Sequence, residues 1–453
     1  MPQVRDGIRG RGSRGAGADL TATVIGGGLA GCEAAWALAE RGVVVQLVEM
    51  RPVVTTPAHR TDRLAELVCS NTFKSIEVTN AHGLLKAELR RLGSLLLACA
   101  DEARVPGGAA LAVDRDVFAS LATERVAAHP RITVVREEAV ALPDPGVVAT
   151  GPLTSDALAR TIAAAVGADS LAFYDAIAPI VSADSLVQDR LFKASRYGKG
   201  DGADYWNAPL TREDYAAFIA ALTEADQHTA HDFDAAPYFE GCLPVEEMAS
   251  RGPDTLRFGP MKPVGLDDPR TGRRPYAVVQ LRQEDRAGQM WNLVGFQTRL
   301  RIGEQQRVFR TIPGLERAEF LRYGSIHRNA YLNTPRALTP HLALKDRPTT
   351  LFAGQLTGVE GYTESLGTGL LAGLNLARML RGQPPLIPSP TTMLGALLRY
   401  LREADPAHFQ PMNANFGLLE PLADPPRDKR KKKERLVERA LADMDAFAQG
   451  MDA

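Results

Sequence analysis

The chain has 453 residues, of which 45% are hydrophobic and 24% charged, so it can bury one or two sizeable cores. This composition excludes a disulfide miniprotein, a collagen and a disordered chain. The 53 Lys and Arg residues nearly balance 54 Asp and Glu residues, and the formal net charge of −1 gives no global attraction to nucleic acid or membrane. Any site for a polyanion must therefore be a local patch.

The N-terminal residues 1–20 are rich in arginine and glycine and lack an apolar segment, so we expect a disordered extension. No apolar stretch approaches the roughly 20 residues that a bilayer span needs, and no membrane association is predicted. The four cysteines are scattered without C-x-x-C spacing, which predicts free thiols in a reducing cytosol and no metal site.

The first predicted element is a βαβ unit. An apolar strand at Thr21–Ile25 is followed by a glycine turn, a helix from about Leu29 to Glu40 and a second strand at Val43–Glu49. The turn fits G-x-G-x-x-G, which is typical of a dinucleotide site with a pyrophosphate on the helix N-terminus. An empty Rossmann-like turn is the alternative. The residues predicted to surround the pyrophosphate are Gly26, Gly27, Gly28, Leu29, Ala30 and Gly31.

Glu49 ends the second strand, where an acidic side chain can accept hydrogen bonds from an adenosine ribose. The C-terminal region favours FAD over NAD as the dinucleotide. There, a strand at Thr350–Ala353 leads to Gly354 and then to a long glycine-rich helix, as in flavoproteins with two dinucleotide folds. Such proteins usually place Asp after that glycine to hold the ribityl chain, whereas this chain has Gln355, which can still donate and accept. The segment 146–151 resembles the inner strand of the same fold.

The domain prediction follows from this discontinuity: an FAD domain in two parts, 21–200 and 330–453, with an insertion at 201–329. The fold class is α/β, a glutathione-reductase-like FAD-binding Rossmann domain with an inserted α/β domain. Segment 251–340 carries 16 basic and 8 acidic residues with interleaved aromatics, which suits an RNA surface as well as it suits a solvated face over a core. The candidate phosphate-binding residues are Arg299, Arg301 and Arg307. A basic run at 427–435 is expected to be exposed and mobile, before an amphipathic helix beginning near Leu436.

Two cysteines are candidates for chemistry. Cys242 lies in a turn before a short helix that starts near Val245, where helix-terminal N–H groups can lower a thiol pKa. Cys69 precedes three polar residues suited to a cap or to ligand contacts. Ordinary packing remains the alternative for both thiols.

Several long motifs now identify a resemblance. They are VIGGGLAGCEAAWALAERG, VEMRP, LVCSNTFKS, YFEGCLPVEEMA, DTLRFGPMKPVGL, LVGFQTRL, HRNAYLN and GQLTGVEGYTES. Together they resemble the FAD- and folate-dependent tRNA (uracil-5-)-methyltransferase family, TrmFO, over about residues 20 to 445.

This resemblance implies a bacterial, cytoplasmic enzyme that methylates uridine 54 in the tRNA T-loop. The carbon would come from 5,10-methylenetetrahydrofolate and the reducing equivalents from FADH2, with NADPH or NADH as the reductant of the flavin. It implies that Cys242 is the nucleophile that adds to uracil C6, with Cys69 as general base or as a thiol that masks Cys242. His327 is the candidate for stacking on the folate pterin, with a hydrogen-bonded loop histidine as the alternative. No obligate protein partner is inferred.

Two other functions stay open at this point. A related flavoenzyme that modifies ribosomal RNA or the wobble uridine of tRNA would share the fold and FAD. An RNA-binding flavoprotein whose thiols do no chemistry would share the site but lack the reaction.

Overall fold

The structure is a computed structural model that describes residues 19–56, 58–167, 171–228 and 243–452. For residues 171–177, 326–330 and 452 it describes the backbone alone. The prediction of a disordered extension therefore falls almost entirely outside the described residues.

The strands are, in chain order, β1 (Thr21–Ile25), β2 (Val44–Glu49), β3 (Thr72–Ser75), β4 (Arg104–Val105), β5 (Ala110–Val113), β6 (Ile132–Arg136), β7 (Gly146–Val148), β8 (Leu171–Ile177), β9 (Ile180–Ser182), β10 (Phe192–Lys193), β11 (Tyr205–Leu210), β12 (Ala277–Gln283), β13 (Met290–Leu293), β14 (Phe320–Arg322), β15 (Ser325–Tyr331) and β16 (Thr350–Phe352). The helices are α1 (Leu29–Glu40), α2 (Ala81–Arg91), α3 (Leu95–Glu102), α4 (Arg115–Ala128), α5 (Asp156–Val166), α6 (Arg212–Thr223), α7 (Val245–Ser250), α8 (Thr255–Phe258), α9 (Ile302–Phe309), α10 (Thr334–Ala337), α11 (Tyr362–Leu380), α12 (Met393–Glu403) and α13 (Lys429–Asp452).

A five-stranded parallel sheet in the order β16–β7–β1–β2–β6 carries the N-terminal glycine turn. β1 lies at its centre, where Val24 pairs with Leu47 of β2 and with Val147 of β7. β16 comes from the C-terminal part of the chain and places Leu351 opposite Val147. The predicted inner strand and the predicted return of a late strand to the first sheet are thus confirmed.

The second large sheet has six strands in the order β10–β11–β12–β13–β9–β14, paired antiparallel. Its core is separate from that of the first sheet and contains Phe218, Phe296 and Phe309, all fully buried. The predicted class, a dinucleotide-binding α/β domain with an inserted α/β domain, is confirmed. β9 and β10 join this sheet before residue 200, and the boundaries at 200 and 329 stay predictions.

Two chain crossings connect the two sheets. β8 and β15 pair antiparallel as a two-stranded ribbon in which Leu171 lies opposite Tyr331 and Asp175 opposite His327. The chain thus leaves the first sheet through β8 and returns through β15, so that the insertion is held at both ends by one ribbon.

The C-terminal helix α13 begins at Lys429, earlier than the predicted start near Leu436. Leu436, Val437, Ala440 and Met444 are buried in the core of the first domain. The prediction that the basic run is mobile was wrong, because α13 docks on the protein and extends the helix back through the run.

Among the described helices, none is both long and apolar enough to cross a membrane. Within the same residue ranges, no group of three or more His, Cys, Asp or Glu residues is placed to hold a metal ion.

Candidate functional site

The first glycine turn joins β1 to α1 at the carboxyl edge of the parallel sheet. Gly26 has a φ of +102°, and a Cβ on Gly31 would lie 1.7 Å from the Gly26 carbonyl oxygen. A Cβ on Gly28, in contrast, would meet no described protein atom within 4 Å. The turn therefore packs tightly at the first and third glycines and leaves open space at the second, where a pyrophosphate approaches in this motif.

Helix α1 begins directly after Gly28, which caps the helix without any side-chain hydrogen bond. The N–H groups of its first turn therefore have no side-chain acceptor from the cap. These groups and the helix dipole favour a bound phosphate.

Glu49, at the end of β2, is a buried carboxylate held by three protein donors. Its Oε2 accepts the Gly27 N–H at 2.8 Å, and its Oε1 accepts the backbone N–H and the Nε–H of Arg51 at 3.0 and 2.7 Å. Burial raises the pKa of Glu49, but the hydrogen bonds and charge of Arg51 outweigh burial and hold the pKa below its ordinary value. A carboxylate has about four acceptor positions, so Oε2 retains one that suits a ribose hydroxyl.

A cavity opens beside this turn and is lined in part by Gly28, Glu49, His59, Glu138 and Leu153. The cavity, the open space at Gly28 and the spare acceptor on Glu49 fit the adenosine and pyrophosphate of a dinucleotide.

A second glycine turn follows β16. Gly354 has a φ of +75°, and its N–H donates to Thr368 Oγ1 at 2.9 Å. The Gln355 side-chain amide donates to the carboxylate of Glu360. A buried carboxylate, that of Glu360, therefore lies beside the position at which flavoproteins usually place Asp.

Helices α1 and α11 pack so closely that only glycine fits between them. A Cβ on Gly369 would lie 2.2 Å from the Ala30 carbonyl oxygen, and a Cβ on Gly373 would lie 2.5 Å from that of Ala34. The contact places the first residue of α11, Tyr362, at the same edge of the sheet as the two glycine turns.

Tyr362 holds the loop that carries Cys69. Its hydroxyl accepts the backbone N–H groups of Cys69 and Ser70, both at 3.0 Å, and donates to the Ser70 carbonyl oxygen at 3.0 Å. Burial, followed by the nearby Cys69, raises the pKa of Tyr362 far above its ordinary value, so that the hydroxyl stays neutral and keeps its proton. The half-buried Cys69 is therefore fixed relative to the start of α11.

Two arginines bind the carbonyl groups of the same loop. Arg115 donates through Nη1 to the Leu67 oxygen at 2.9 Å and through Nη2 to the Cys69 oxygen at 3.4 Å. Arg322 donates through Nη2 to the Val68 oxygen at 2.8 Å. Two guanidinium groups therefore hold the backbone of the Cys69 loop in place.

The inserted domain takes part in this network. Arg115 forms a 2.6 Å ion pair with Glu284, which follows β12, and the two side chains are 17% and 1% exposed. Arg282 of β12 donates through Nε to Asn71 Oδ1 at 2.8 Å. The Cys69 loop therefore lies at the junction of the two domains.

Two predicted site residues have limited or no description. Cys242 lies outside the described residues, so its distance from Cys69 is not defined. His327 lies in β15 opposite Asp175, with its backbone alone described. The catalytic roles of Cys242 and Cys69 and the folate contact of His327 stay predictions.

The three candidate RNA-binding arginines lie around the start of α9 in the inserted domain. Arg299 donates to Gln227 Oε1 at 2.7 Å and pairs with Glu247 at 3.1 Å, whereas Arg307 pairs with Glu304. Arg301 caps α9 and is exposed. Their role in binding RNA also stays a prediction.

Residue patterns did not point to the residues that hold the Cys69 loop, namely Tyr362, Arg115, Arg282 and Arg322. Each is distant in sequence from the loop, and their bonds to it are made mostly with backbone atoms, which leave no pattern in side-chain chemistry. One feature of the sequence could have indicated a role for Tyr362: it directly follows Gly361, at the start of the long glycine-rich helix.

The fold and the site define an FAD-binding flavoprotein with a thiol loop at the carboxyl edge of its parallel sheet. The family described as glucose inhibited division protein A matches residues 21–384. Two crystal forms of GidA from Aquifex aeolicus superimpose with TM-scores of 0.70 and 0.69 at 16% identity, covering 96% of this chain and 73% and 76% of theirs. This likeness shows the fold.

Curated relatives give a narrower family. The chain is 59% identical to the methylenetetrahydrofolate–tRNA-(uracil-5-)-methyltransferase TrmFO of Geobacter sulfurreducens, over 93% of this chain and 98% of the relative. It is 58% identical to the protein of the same name from Moorella thermoacetica, over 92% and 96%. The chain belongs to the TrmFO family.

Proposed function

We propose that this protein methylates C5 of uridine 54 in the T-loop of tRNA, with 5,10-methylenetetrahydrofolate as the carbon donor. The observation that carries the proposal is the 59% identity, over nearly the whole length of both chains, to a relative named for methylenetetrahydrofolate-dependent tRNA uracil-5-methylation. The position within the tRNA is an expectation from the family resemblance.

FAD would be held by the first glycine turn (Gly26–Gly31), by Glu49 and by the second turn at Gly354 and Gln355. The open space at Gly28 and the remaining acceptor on Glu49 support this assignment. When bound, the cofactor supplies the reducing equivalents that convert a methylene group into a methyl group, and NADPH or NADH is the proposed source of those equivalents.

The thiols would act on the uracil ring. The sulfur of Cys242 would add to C6, and the electron pair displaced from the C5–C6 bond makes C5 nucleophilic. C5 would then bond to the methylene carbon supplied by the folate, as the carbon–nitrogen bonds of that carbon break and the folate nitrogens take up protons. Cys69 accepts the C5 proton, and elimination of the Cys242 thiolate restores the double bond. The fixed position of the Cys69 loop supports the assignment of the general base to Cys69.

Folate and RNA would approach from the inserted domain. His327 lies on the ribbon that joins the two domains, which supports a contact with the pterin close to the flavin. Arg299, Arg301 and Arg307 cluster on one side of the insertion and are proposed to bind tRNA phosphates. Because the substrate is tRNA, we place the reaction in the cytoplasm.

The test is to incubate the protein with a tRNA transcript, NADPH and methylenetetrahydrofolate labelled at the transferred carbon, and then to map the label. Label at position 54 is expected, and Cys242→Ala should abolish it while flavin content and tRNA affinity remain. Label in ribosomal RNA or at the wobble position would select a related flavoenzyme. No label in any RNA would indicate an RNA-binding flavoprotein.

A further inference from the structure

The basic run at 427–435 concentrates charge in a chain that is otherwise acidic. It contains seven basic and two acidic residues, whereas the whole chain has a net charge of −1. All seven basic residues are exposed: Arg427, Lys429, Arg430, Lys431, Lys432, Lys433 and Arg435. We call this set the basic arm.

Few of these charges are neutralised by the protein itself. Arg430 pairs with Glu434 at 2.9 Å, and Arg435 donates to a backbone oxygen. Within the described part of the chain, the ammonium groups of Lys429, Lys431 and Lys432 contact no carboxylate. Like charges three and four positions apart on a helix repel each other, so the arm is not explained by the stability of α13.

The arm has a fixed position because α13 is anchored along its length. Met444 is buried, and Asp445 pairs with Arg91 of α2 at 2.7 Å. At the far end, Arg378 of α11 donates to the carbonyl oxygens of Gly450 and Met451.

The orientation of α13 places the arm at the Cys69 end of the molecule. Lys433 lies 5.5 Å from the centre of the Phe416 ring, and nearby Ala414 donates its N–H to Glu364 at 2.9 Å. Glu364 is two residues from Tyr362, whose hydroxyl holds the Cys69 loop.

The C-terminal ends of α11 and α13 are therefore in contact, and the basic arm lies toward the N-terminal end of α11, so the two helices run in the same general direction. Between Lys433 and Gly450 a helix advances by about 26 Å at ~1.5 Å per residue. The basic arm is at the end where Cys69 lies, and the opposite end of α13 is remote from it.

We propose that the basic arm binds the phosphate backbone of the tRNA whose uridine reaches Cys69, a role that deepens the proposed function and rests on it. Exposed cations without carboxylate partners suit a polyanion, and the arm lies toward the end of α11 at which Tyr362 holds the thiol loop, which suits the substrate rather than an unrelated ligand. The arm sets affinity and orientation and takes no part in the chemistry.

The test compares two triple variants of the full-length flavoprotein. The arm variant is Lys429→Gln, Lys431→Gln and Lys432→Gln. The control variant is Arg131→Gln, Lys345→Gln and Arg347→Gln, which removes the same charge from exposed residues near the amino ends of β6 and β16. These ends lie at the opposite edge of the parallel sheet from the glycine turns.

For the arm variant we expect the Kd of a tRNA transcript to rise by on the order of tenfold at low salt, with a salt dependence shallower by about two to three units. The KM for tRNA should rise while kcat at saturating tRNA and flavin content stay at the values of the unaltered protein. The control variant should change neither the Kd nor the salt dependence.

Equal Kd values and equal salt slopes for the two variants would overturn the proposal. So would loss of binding to phosphatidylglycerol vesicles by the arm variant with tRNA binding unchanged, because that result assigns the arm to a lipid surface. Methyl transfer by the unaltered protein is measured in parallel, so that failure of the proposed function is seen as absence of label in every sample. In that case tRNA binding by the two variants still decides the role of the arm.

Discussion

Gly28 shows how the absence of one methyl group can define a cofactor site. Its φ of −79° is accessible to any residue, and a Cβ there would meet no described protein atom. Selection of glycine at this position therefore reflects the space that a ligand needs rather than the conformation of the chain.

We predict that Gly28→Ala leaves folding intact and lowers FAD retention severalfold, because the added methyl group occupies the approach of the pyrophosphate. The ratio of flavin to protein absorbance measures the effect. The matched control is Gly303→Ala in α9, where a Cβ also enters open space but far from the turn. Equal flavin content in the two variants would contradict the assignment of the first glycine turn to pyrophosphate binding.

Tyr362 is the residue that fixes the Cys69 loop, and its hydroxyl makes three hydrogen bonds with that loop. Tyr362→Phe leaves the N–H groups of Cys69 and Ser70 without this acceptor, at a cost of about 1–3 kcal/mol for each buried group that stays unsatisfied. We predict a fall in kcat of about tenfold from a misplaced thiol, since one factor of ten corresponds to ~1.4 kcal/mol.

The control for Tyr362→Phe is Tyr400→Phe, which removes an exposed hydrogen bond to the Gln410 carbonyl oxygen. Single-turnover methyl transfer and flavin content are measured for both. A Tyr362→Phe enzyme with unchanged kcat would show that the loop does not need this hydroxyl.

Between elements, the pair of Arg115 at the start of α4 and Glu284 after β12 links the two domains. Glu284 is 1% exposed, and removal of Arg115 leaves this buried carboxylate with only a distant cation, Arg282, whose Nη2 lies 3.9 Å from Glu284 Oε1. We predict that Arg115→Gln lowers the free energy of unfolding by about 3–5 kcal/mol. Chemical denaturation measures this loss.

An exposed ion pair in the same helix provides the comparison. Arg63 and Asp116 are 38% and 72% exposed, so Asp116→Asn should cost less than about 1 kcal/mol. Similar losses for Arg115→Gln and Asp116→Asn would show that the domain junction does not depend on the buried pair.

The stability of the fold is expected to depend on pH through Glu88 of α2, which binds the start of α12. The Glu88 carboxylate accepts the N–H groups of Met393 and Leu394 at 2.7 and 2.9 Å, and burial raises its pKa to about 8 from an ordinary 4.5. Because the folded state holds this proton more tightly than the unfolded state, the contribution of Glu88 to stability is complete below pH 4.5 and is lost as pH rises toward 8. The limit is about 1.4 kcal/mol per pH unit for one group.

We predict that Glu88→Gln, which resembles the protonated carboxyl group, makes the decline in stability between pH 5 and 7 shallower. Glu33, whose pKa burial raises to about 7, contributes in the same direction, so part of the decline should remain. Denaturation midpoints at several pH values measure the slope. The exposed Glu403→Gln, at the far end of α12, should keep the original slope, and an unchanged slope in Glu88→Gln would contradict the assignment.

How much of these elements the sequence predicts depends on whether the determining contacts are local. The strand at Thr21–Ile25, the helix at Leu29–Glu40 and the turn between them were predicted with the correct bounds, because glycine spacing and apolar runs act within a few residues. The start of α13 was predicted too late because the docking of Leu436 and Met444, a tertiary contact, stabilises a helix through a repulsive basic run. The partners of the Cys69 loop come from distant segments, and no local pattern indicates such contacts.

At the scale of the whole molecule, two separately packed domains meet at the loop that carries Cys69. The first domain supplies the two glycine turns and Tyr362, and the second supplies Glu284 and Arg282. A nearly neutral molecule then needs local cations to attract a polyanion, and those cations lie on both domains. The proposed tRNA contacts therefore divide into the basic arm of the first domain and the arginines of the insertion.

In the inserted domain, one substitution is expected to raise the affinity for tRNA. Arg307 is bound by the Glu304 carboxylate at 2.5 Å, and this pair competes with any phosphate for the guanidinium. We predict that Glu304→Gln frees Arg307, lowers the Kd for tRNA a few fold and steepens the salt dependence by about one unit. Asp101→Asn, which frees Arg90 on the first domain by the same change of charge, is the control and should leave both quantities unchanged. If Glu304→Gln behaves like this control, the tRNA does not contact Arg307.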